Sequence, residues 1–170
     1  NLLTLTPVDN QYGTTQVSII ANDGTLDSPV STFNLTVGNV NDSPLLEDID
    51  SQTTDEDSND IVISVTPTDV DLEDTLTLSV TSSNESLISN SEISIDNSSD
   101  VTNVSRTITM NPIDDQYGES NITITITDGQ ESISKEFTAT VNPINDAPIL
   151  TNIGVQEANE DETKNIVLSA

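Results

Sequence analysis

The residues of this chain that could do chemistry are carboxylates and side-chain amides, grouped in short runs. Glu56–Asp57, Asp69–Asp71 and Asp128 lie just beyond predicted strands, and Asn41–Asp42 and Asn145–Asp146 stand in matching Asn-Asp-x-Pro segments. Two carboxylates about 4 Å apart repel by roughly 4 kcal/mol at an effective dielectric constant near 20, so a cluster of them favours a bound cation. Because every candidate ligand is a hard oxygen, the sequence favours Ca²⁺ over zinc or copper.

The composition removes most other chemistries. The chain has no histidine and no cysteine, which excludes the usual general base, thiolate metal sites and disulfides. It has 30 acidic and 3 basic residues, for a formal charge of −27. Such a chain cannot replace the counterions of phosphate groups, so nucleic acid and anionic membrane surfaces are excluded as partners. No apolar run reaches the length of a membrane span, so no membrane insertion of this segment is expected.

Two hinge segments organise the chain. Asn39–Pro44 matches Pro143–Pro148, and Asp9–Gly13 upstream of the first hinge matches Asp114–Gly118 upstream of the second. A Glu-Asp pair follows each hinge at the same distance, so the period is about 100 residues, the size of one domain. The chain is therefore expected to be a segment of a longer array. The prediction is the end of one repeat, a complete repeat and the start of the next, over residues 1–43, 44–146 and 147–170.

Alternation of apolar and polar residues predicts an all-β fold. In the run Ile122–Thr127, three isoleucines fall on one face of a strand and three threonines on the other. Tyr12 and Tyr117 are predicted to be structural, at the tyrosine-corner position of a sandwich. Seven short strands in about 100 residues fit tandem antiparallel, immunoglobulin-like sandwiches. The predicted strands lie near residues 45–50, 61–66, 75–81, 92–96, 103–110, 120–127 and 133–141.

Seven strands of alternating direction place the acidic runs at the two ends of the complete repeat. One end is expected to gather Asp69, Asp71 and Asp128 with Asn39, Asn41 and Asp42 of the first hinge. The other end is expected to gather Glu56, Asp57, Asn145 and Asp146, with Asp114 and Asp115 as further candidates. Asp and Asn also populate turns without any ion, and that alternative suits an isolated pair such as Asp23-Gly24. The combined set, repeated at one period, favours ion binding.

These motifs resemble those of bacterial cadherin-like tandem repeats of large surface adhesins and exoproteins. The shared features are the Asn-Asp-x-Pro hinges, Glu-Asp after the first strand, Asp-x-Asp after the second and Thr-Asp-Gly before the last. The resemblance implies calcium ions at each junction, bound by both neighbouring repeats and stiffening the array. Carried over to this chain, the first junction would use Asn41, Asp42, Asp69, Asp71 and Asp128, and the second Glu56, Asn145 and Asp146.

The opening position of the hinge departs from this resemblance. Cadherin hinges open with an aspartate, whereas this chain has Asn39 in the first hinge and Pro143 in the second. Because proline has no side-chain ligand, the first junction is expected to hold calcium more completely.

The function predicted from the sequence is a calcium-stiffened, non-catalytic spacer of a bacterial or archaeal surface adhesin or filament, located outside the cell. Its expected partners are the neighbouring repeats, and association with other copies in a filament is left open. The alternative is a glycan- or ligand-binding immunoglobulin-like module, which would need exposed aromatic side chains. An enzyme is not expected: paired carboxylates can hydrolyse glycosides, but here they lie at strand ends without an organised nucleophile.

Overall fold

The computed structural model describes residues 2–58 and 60–168 and contains strands but no helix, with 44% of residues in strands. The all-β prediction is therefore confirmed. Over the described residues, no helix could cross a membrane.

The first structured element is an antiparallel hairpin of two strands. Strand β1 (Gly13–Ile19) pairs with β2 (Ser31–Val37), with Gly13 opposite Val37 and Ile19 opposite Ser31. The connecting loop is closed by the Asn22 side chain, which donates to Asp27, and by Asp23, which accepts from the amides at its own turn. This hairpin lies in the part of the chain predicted to be the end of a preceding repeat.

Two packed sheets form the body of the chain between the hinges. Their strands are β3 (Gln52–Asp55), β4 (Ile61–Val65), β5 (Thr75–Ser82), β6 (Ile88–Ile95), β7 (Ser99–Val101), β8 (Arg106–Pro112), β9 (Gly118–Thr127) and β10 (Ser132–Asn142). The first sheet has the strand order β3-β10-β9-β5-β7 and the second the order β4-β8-β6. Residues 143–168 contain no strand. The division of the chain into three repeats stays a prediction.

The core confirms the predicted strand faces. Ile122, Ile124 and Ile126 on β9 are fully buried, while the threonines between them reach the surface. On β4 the same period buries Ile61, Ile63 and Val65. These side chains interdigitate between the two sheets, as successive residues of a strand point to opposite faces.

The strand count differs from the predicted seven antiparallel strands. The described residues of the range 44–146, predicted to be the complete repeat, contain eight strands, and β3 runs parallel to β10. The predicted strand at residues 45–50 does not form; only Leu45 pairs with Thr68. The reason is a spacing of three: Leu46 and Ile49 both turn inward, which a strand of period two cannot achieve.

The tyrosine-corner prediction is wrong. Tyr12 and Tyr117 are 53% and 65% exposed, and neither phenol hydroxyl makes a hydrogen bond within the described residues. Each precedes a glycine with positive φ, Gly13 or Gly118, that opens β1 or β9. The turn residues before the tyrosines, Asn10 and Asp115, are also left-handed, so both turns share one backbone shape.

Candidate cation sites

An acidic cluster lies at the end of the sandwich where the first hinge enters. The loop after β4 carries Asp69, Asp71 and Asp74, and Asp128 follows β9 directly. Carboxylate oxygens of Asp69, Asp74 and Asp128 lie within 4.8 Å of one another. We call Asp69, Asp71, Asp74 and Asp128 the upper cluster. It brings together three of the residues predicted from the sequence and one that was not named.

Asp69 is the most constrained member of the upper cluster. Its side chain is only 7% exposed, its backbone amide donates to the Thr102 hydroxyl at 2.6 Å, and its Oδ1 accepts from the Asp71 amide at 2.9 Å. Its Oδ2 is buried and has no hydrogen-bond partner among residues 2–58 and 60–168. Burial raises the pKa of the Asp69 carboxyl, and the negative charges of the rest of the cluster raise it further. A buried carboxylate oxygen without a donor is costly, which makes this atom a candidate ligand.

Asp71 joins the cluster to the hinge. The side chain is 5% exposed, and its Oδ2 accepts a hydrogen bond from the backbone amide of Asp42 at 3.0 Å. Its carbonyl oxygen accepts from the Asp74 amide at 3.0 Å, which closes a turn and brings Asp74 back towards Asp69. The spacing Asp-x-Asp-x-x-Asp is the sequence signal that could have identified Asp74 as a candidate.

Asp128 is held by both the β9–β10 loop and the hinge. Its Oδ1 accepts from the amides of Gln130 and Glu131, each at 2.7 Å, and its Oδ2 accepts from the Asn41 side-chain amide at 2.9 Å. Burial alone would raise the pKa of this carboxyl, but the hydrogen bonds, from the Glu131 amide first, lower it below its ordinary value. Gln130 in turn donates to Asn41 Oδ1 at 2.6 Å, and Ser43 contacts Glu131.

The upper cluster fits a hard divalent cation. All of its donor atoms are carboxylate oxygens, and Asp69, whose Oδ2 is unpartnered within the described residues, is one of the three residues whose carboxylates converge. Calcium takes about six to eight such oxygens and tolerates irregular geometry. Asp69, Asp74 and Asp128 would supply the converging oxygens.

Asn39 makes no hydrogen bond to the upper cluster within the described residues. It is exposed, and with Val8, Asp9, Asn10 and Asp42 it helps to line a cleft of about 300 Å³ beside the turn that precedes β1. Asp42 of the same cleft donates its backbone amide to Asp71 of the upper cluster. The role of Asn39 as a ligand at the first junction stays a prediction.

A second acidic group lies at the opposite end of the sandwich. Carboxylate oxygens of Asp57, Asp115 and Asp146 lie within 4.8 Å of one another, and all three side chains are exposed. We call these residues the lower cluster. The Asp115 amide donates to Asp57 Oδ1 at 3.2 Å, whereas Asp114, the other candidate at this turn, is exposed and outside the group.

Glu56 ties the second hinge to the lower end of the sandwich. It is 3% exposed, its amide donates to the Asn142 carbonyl oxygen at 2.9 Å, and its Oε1 accepts from the Ile144 amide at 2.7 Å. Asn145 donates to the carbonyl oxygen of Asp146 at 3.1 Å and to no other group in the described part of the chain. All four predicted residues therefore lie at this end, but the group is open to solvent.

Two facing sheets with a parallel first strand beside the last define an immunoglobulin-like β-sandwich. The sequence profile of the bacterial Ig domain matches residues 41–142, and the chain belongs to this family. This confirms the predicted resemblance to bacterial immunoglobulin-like repeats. Membership also supports the coarse prediction of an extracellular structural module without catalysis.

Among solved structures the chain resembles domains 1–6 of the surface layer protein SbsC, at 20% identity and a TM-score of 0.47, over 82% of this chain and 18% of that one. It also resembles the endo-fucoidan hydrolase MfFcnA4 of glycoside hydrolase family 107, at 18% identity and a TM-score of 0.46, over 88% and 21%. The titin domains z1z2 in complex with telethonin match at 15% identity and a TM-score of 0.45, over 78% and 62%.

The chain thus spans less than a quarter of the length of the first two proteins. At these identities and TM-scores no functional property is transferred. No curated protein sequence matches the chain.

Proposed function

We propose that the chain is a calcium-stiffened spacer of a bacterial or archaeal surface adhesin or filament, located outside the cell. The observation that carries this proposal is the buried, unpartnered Asp69 Oδ2 within a group of converging carboxylates. A net charge of −27 adds to the argument, because such a chain gains from any bound divalent cation.

The mechanism follows from the contacts of the first hinge. Asn41 and Asp42 are the hinge residues that reach the upper cluster, through the Asp128 carboxylate and the Asp71 carboxylate respectively. A bound ion would supply positive charge to the cluster and so relieve the repulsion among its members. With the cluster held together, the two carboxylates keep their positions as acceptors, and the hinge stays docked on the complete repeat. The neighbouring repeats are the partners in this proposal.

Calcium at the second junction would be held by Glu56, Asp57, Asn145 and Asp146, with Asp115 as an added member. Because Asp57, Asp115 and Asp146 are exposed, water competes with each of them for an ion and screens their mutual repulsion. We therefore propose weaker binding at the second junction. Asn39 remains a proposed ligand of the first junction, beside the cleft that it shares with Asp42.

The alternative, a glycan- or ligand-binding module, gains from one observation. Tyr12 and Tyr117 are exposed at equivalent turns, and Tyr12 borders the cleft beside the first hinge. Exposed aromatic rings can pack against apolar ligand faces. Binding of the chain to a panel of immobilised glycans that disappears in Tyr117→Ser and Tyr12→Ser, with calcium binding intact, would support this alternative.

Thermal unfolding with and without calcium tests the spacer proposal. If extracellular modules bind calcium at about 10⁻⁴ to 10⁻³ M, then 10 mM calcium reaches up to roughly 100 times Kd. At that ratio the ion adds about 2.7 kcal/mol to the free energy of unfolding, a rise in Tm on the order of 10 °C. Asp69→Asn should abolish most of the rise, whereas Asp50→Asn, an exposed aspartate outside both clusters, should keep it. Coinciding curves in EDTA and calcium at equal ionic strength would contradict the proposal.

A further inference from the structure

The single arginine of the chain is buried in the sandwich. Arg106 is 0% exposed, although the chain has only 3 basic residues to set against 30 acidic ones. Removing a guanidinium from water is costly unless its donors are satisfied, and burial lowers the pKa of Arg106. The guanidinium of Arg106 brings hydrogen-bond donors into the interior of the sandwich, which an apolar side chain could not.

Arg106 crosses from one sheet to the other. It opens β8 in the three-stranded sheet, opposite Val65, the last residue of β4. Its guanidinium donates to the carbonyl oxygens of Ser98 at 3.3 Å and Asp100 at 3.0 Å. Ser98 directly precedes β7 of the five-stranded sheet, and Asp100 lies within it. Strand β7 has three residues and pairs only with the start of β5, so these two bonds secure it from the interior of the sandwich.

The segment that Arg106 holds leads directly to the upper cluster. Thr102 follows β7 and is buried, and its hydroxyl accepts the hydrogen bond from the Asp69 amide at 2.6 Å. The next amide, of Asn103, donates to the Pro67 carbonyl oxygen at 2.9 Å. The loop that carries the cluster is therefore fastened at two points to residues 102–103, immediately beyond the strand that Arg106 clamps.

We infer that Arg106 is a positioning residue of the upper cluster: by fixing β7 across the sandwich it places Thr102, and Thr102 fixes the backbone of Asp69 so that Oδ2 faces the cation site. The inference rests on the proposed function for the ion and adds the element that shapes its site. Replacing a residue that orients the metal ligands without binding the metal itself typically changes metal affinity by about 10- to 100-fold.

The test is a calcium titration of the ¹⁵N-labelled full chain, followed at the amides of Asp71 and Gly129, which report on the upper cluster alone. Arg106→Met keeps the length of the side chain and removes both donors; we expect about 10- to 100-fold weaker binding. Arg106→Lys keeps the charge and can reach one carbonyl oxygen, so it should lie between wild type and Arg106→Met. Ile122→Ala is the control. It truncates a fully buried side chain in the first half of β9, whereas Asp128 of the upper cluster follows the end of that strand.

A merely structural arginine would behave like the control. If Ile122→Ala weakened calcium binding as much as Arg106→Met at equal loss of stability, or if Arg106→Met bound calcium like wild type, the inference would be overturned. Should Arg106→Met fail to fold, Arg106→Lys and Thr102→Val form a double-mutant cycle. Both changes act through one contact path, so their effects on affinity should be less than additive. Full additivity would count against the path.

Hydrogen exchange of the Asp69 amide in EDTA separates this inference from the proposed function. Protection of that amide should fall in Arg106→Met and in Thr102→Val, and stay at the wild-type level relative to global stability in Ile122→Ala. A wild-type chain without saturable calcium shifts would refute the calcium proposal whatever the exchange shows. Unchanged Asp69 protection in Arg106→Met would refute the role of Arg106 even in a chain that binds calcium.

Discussion

The side-chain amide of Asn41 in the first hinge donates to the Asp128 carboxylate, 2.9 Å away and 87 residues further along the chain. This contact connects the hinge to the loop between β9 and β10, and Gln130 of the same loop returns a bond to Asn41 Oδ1. The side-chain amide of the matching residue in the second hinge, Asn145, donates to the neighbouring carbonyl oxygen of Asp146 and has no other partner within the described residues. Two sequence-equivalent asparagines therefore make different contacts: Asn41 connects distant parts of the chain, and Asn145 contacts its neighbour in sequence.

Replacement of Asn41 should loosen the first hinge. Asn41→Ala removes both bonds to the β9–β10 loop and leaves Asp128 Oδ2 without its donor, whereas Asn145→Ala is the matched change at the other hinge. Spin labels at Thr32→Cys and Ser79→Cys can be attached selectively, since the chain has no cysteine. The distance distribution between them should broaden in Asn41→Ala and stay as in wild type in Asn145→Ala. Equal widths in all three proteins would show that the Asn41 contact does not hold the hinge.

The strand faces give a prediction for stability. Ile124 is fully buried on β9, and its loss in Ile124→Ala should reduce the free energy of unfolding by about 2–5 kcal/mol. Thr125 lies on the opposite face and shares a hydrogen bond of 2.8 Å with the Ser134 hydroxyl, so Thr125→Ala should cost at most about 1 kcal/mol. Urea unfolding of the two variants measures both values. A larger loss for Thr125→Ala would mean that β9 is shifted by one residue.

The alternation that fixed these faces could be read from the sequence because a strand repeats every two residues. The same rule failed at residues 45–50, where Leu46 and Ile49 turn inward at a spacing of three and Leu45 forms an isolated bridge with Thr68. Hinge residues follow no period at all. Strand direction alone placed Asp69 and Asp128 at one end, where their carboxylates converge with that of Asp74. The place of Asn39 depends on the path of the hinge, which no such rule predicts.

Two members of the site environment were missed for different reasons. Asp74 is recognisable from the Asp-x-Asp-x-x-Asp spacing of its loop, but the turn closed by the Asp71 carbonyl oxygen is what brings it back to Asp69. Thr102 gives no signal, because its contact with the Asp69 amide spans 33 residues and joins two loops of different strands. Contacts of this kind arise from packing and have no local pattern.

The raised pKa of Asp69 predicts a pH dependence of stability in EDTA. The groups facing this carboxyl are the other three acids of the upper cluster, and the folded state holds its proton more tightly than the unfolded state, whose value is near 3.8. The free energy of unfolding should therefore rise as pH falls from above the raised pKa towards 3.8 and stay constant below. This contribution is lost as pH rises through the folded-state pKa.

Asp69→Asn should remove that contribution, so the difference in stability between wild type and variant should itself change over this range of pH. Asp23→Asn, in the exposed Asp23-Gly24 turn, is the control, because the pKa of Asp23 is lowered instead of raised. Urea unfolding at a series of pH values in EDTA provides the measurement. A difference between wild type and Asp69→Asn that is flat with pH would contradict the assigned direction.

The two hinges should respond unequally to calcium. Asp71 is buried and accepts the Asp42 amide, so Asp71→Ala removes a cluster member and a direct anchor of the first hinge. Asp146 is exposed in the lower cluster, where each carboxylate remains hydrated. Pro143 fixes its own φ and stiffens the second hinge without an ion. We therefore expect Asp71→Ala to abolish calcium-dependent stiffening of the first hinge, and Asp146→Ala to have a smaller effect on the second.

Label pairs across each hinge measure this difference in one calcium titration. Thr32→Cys with Ser79→Cys spans the first hinge, and Ser79→Cys with Glu157→Cys spans the second. In wild type, the first distance distribution should narrow at lower calcium than the second, and only the first should lose its response in Asp71→Ala. Equal narrowing at both hinges at the same calcium concentration would mean that burial of the upper cluster gives it no advantage. The exposed Asp57, Asp115 and Asp146 would then have to bind the ion as tightly as Asp69 does.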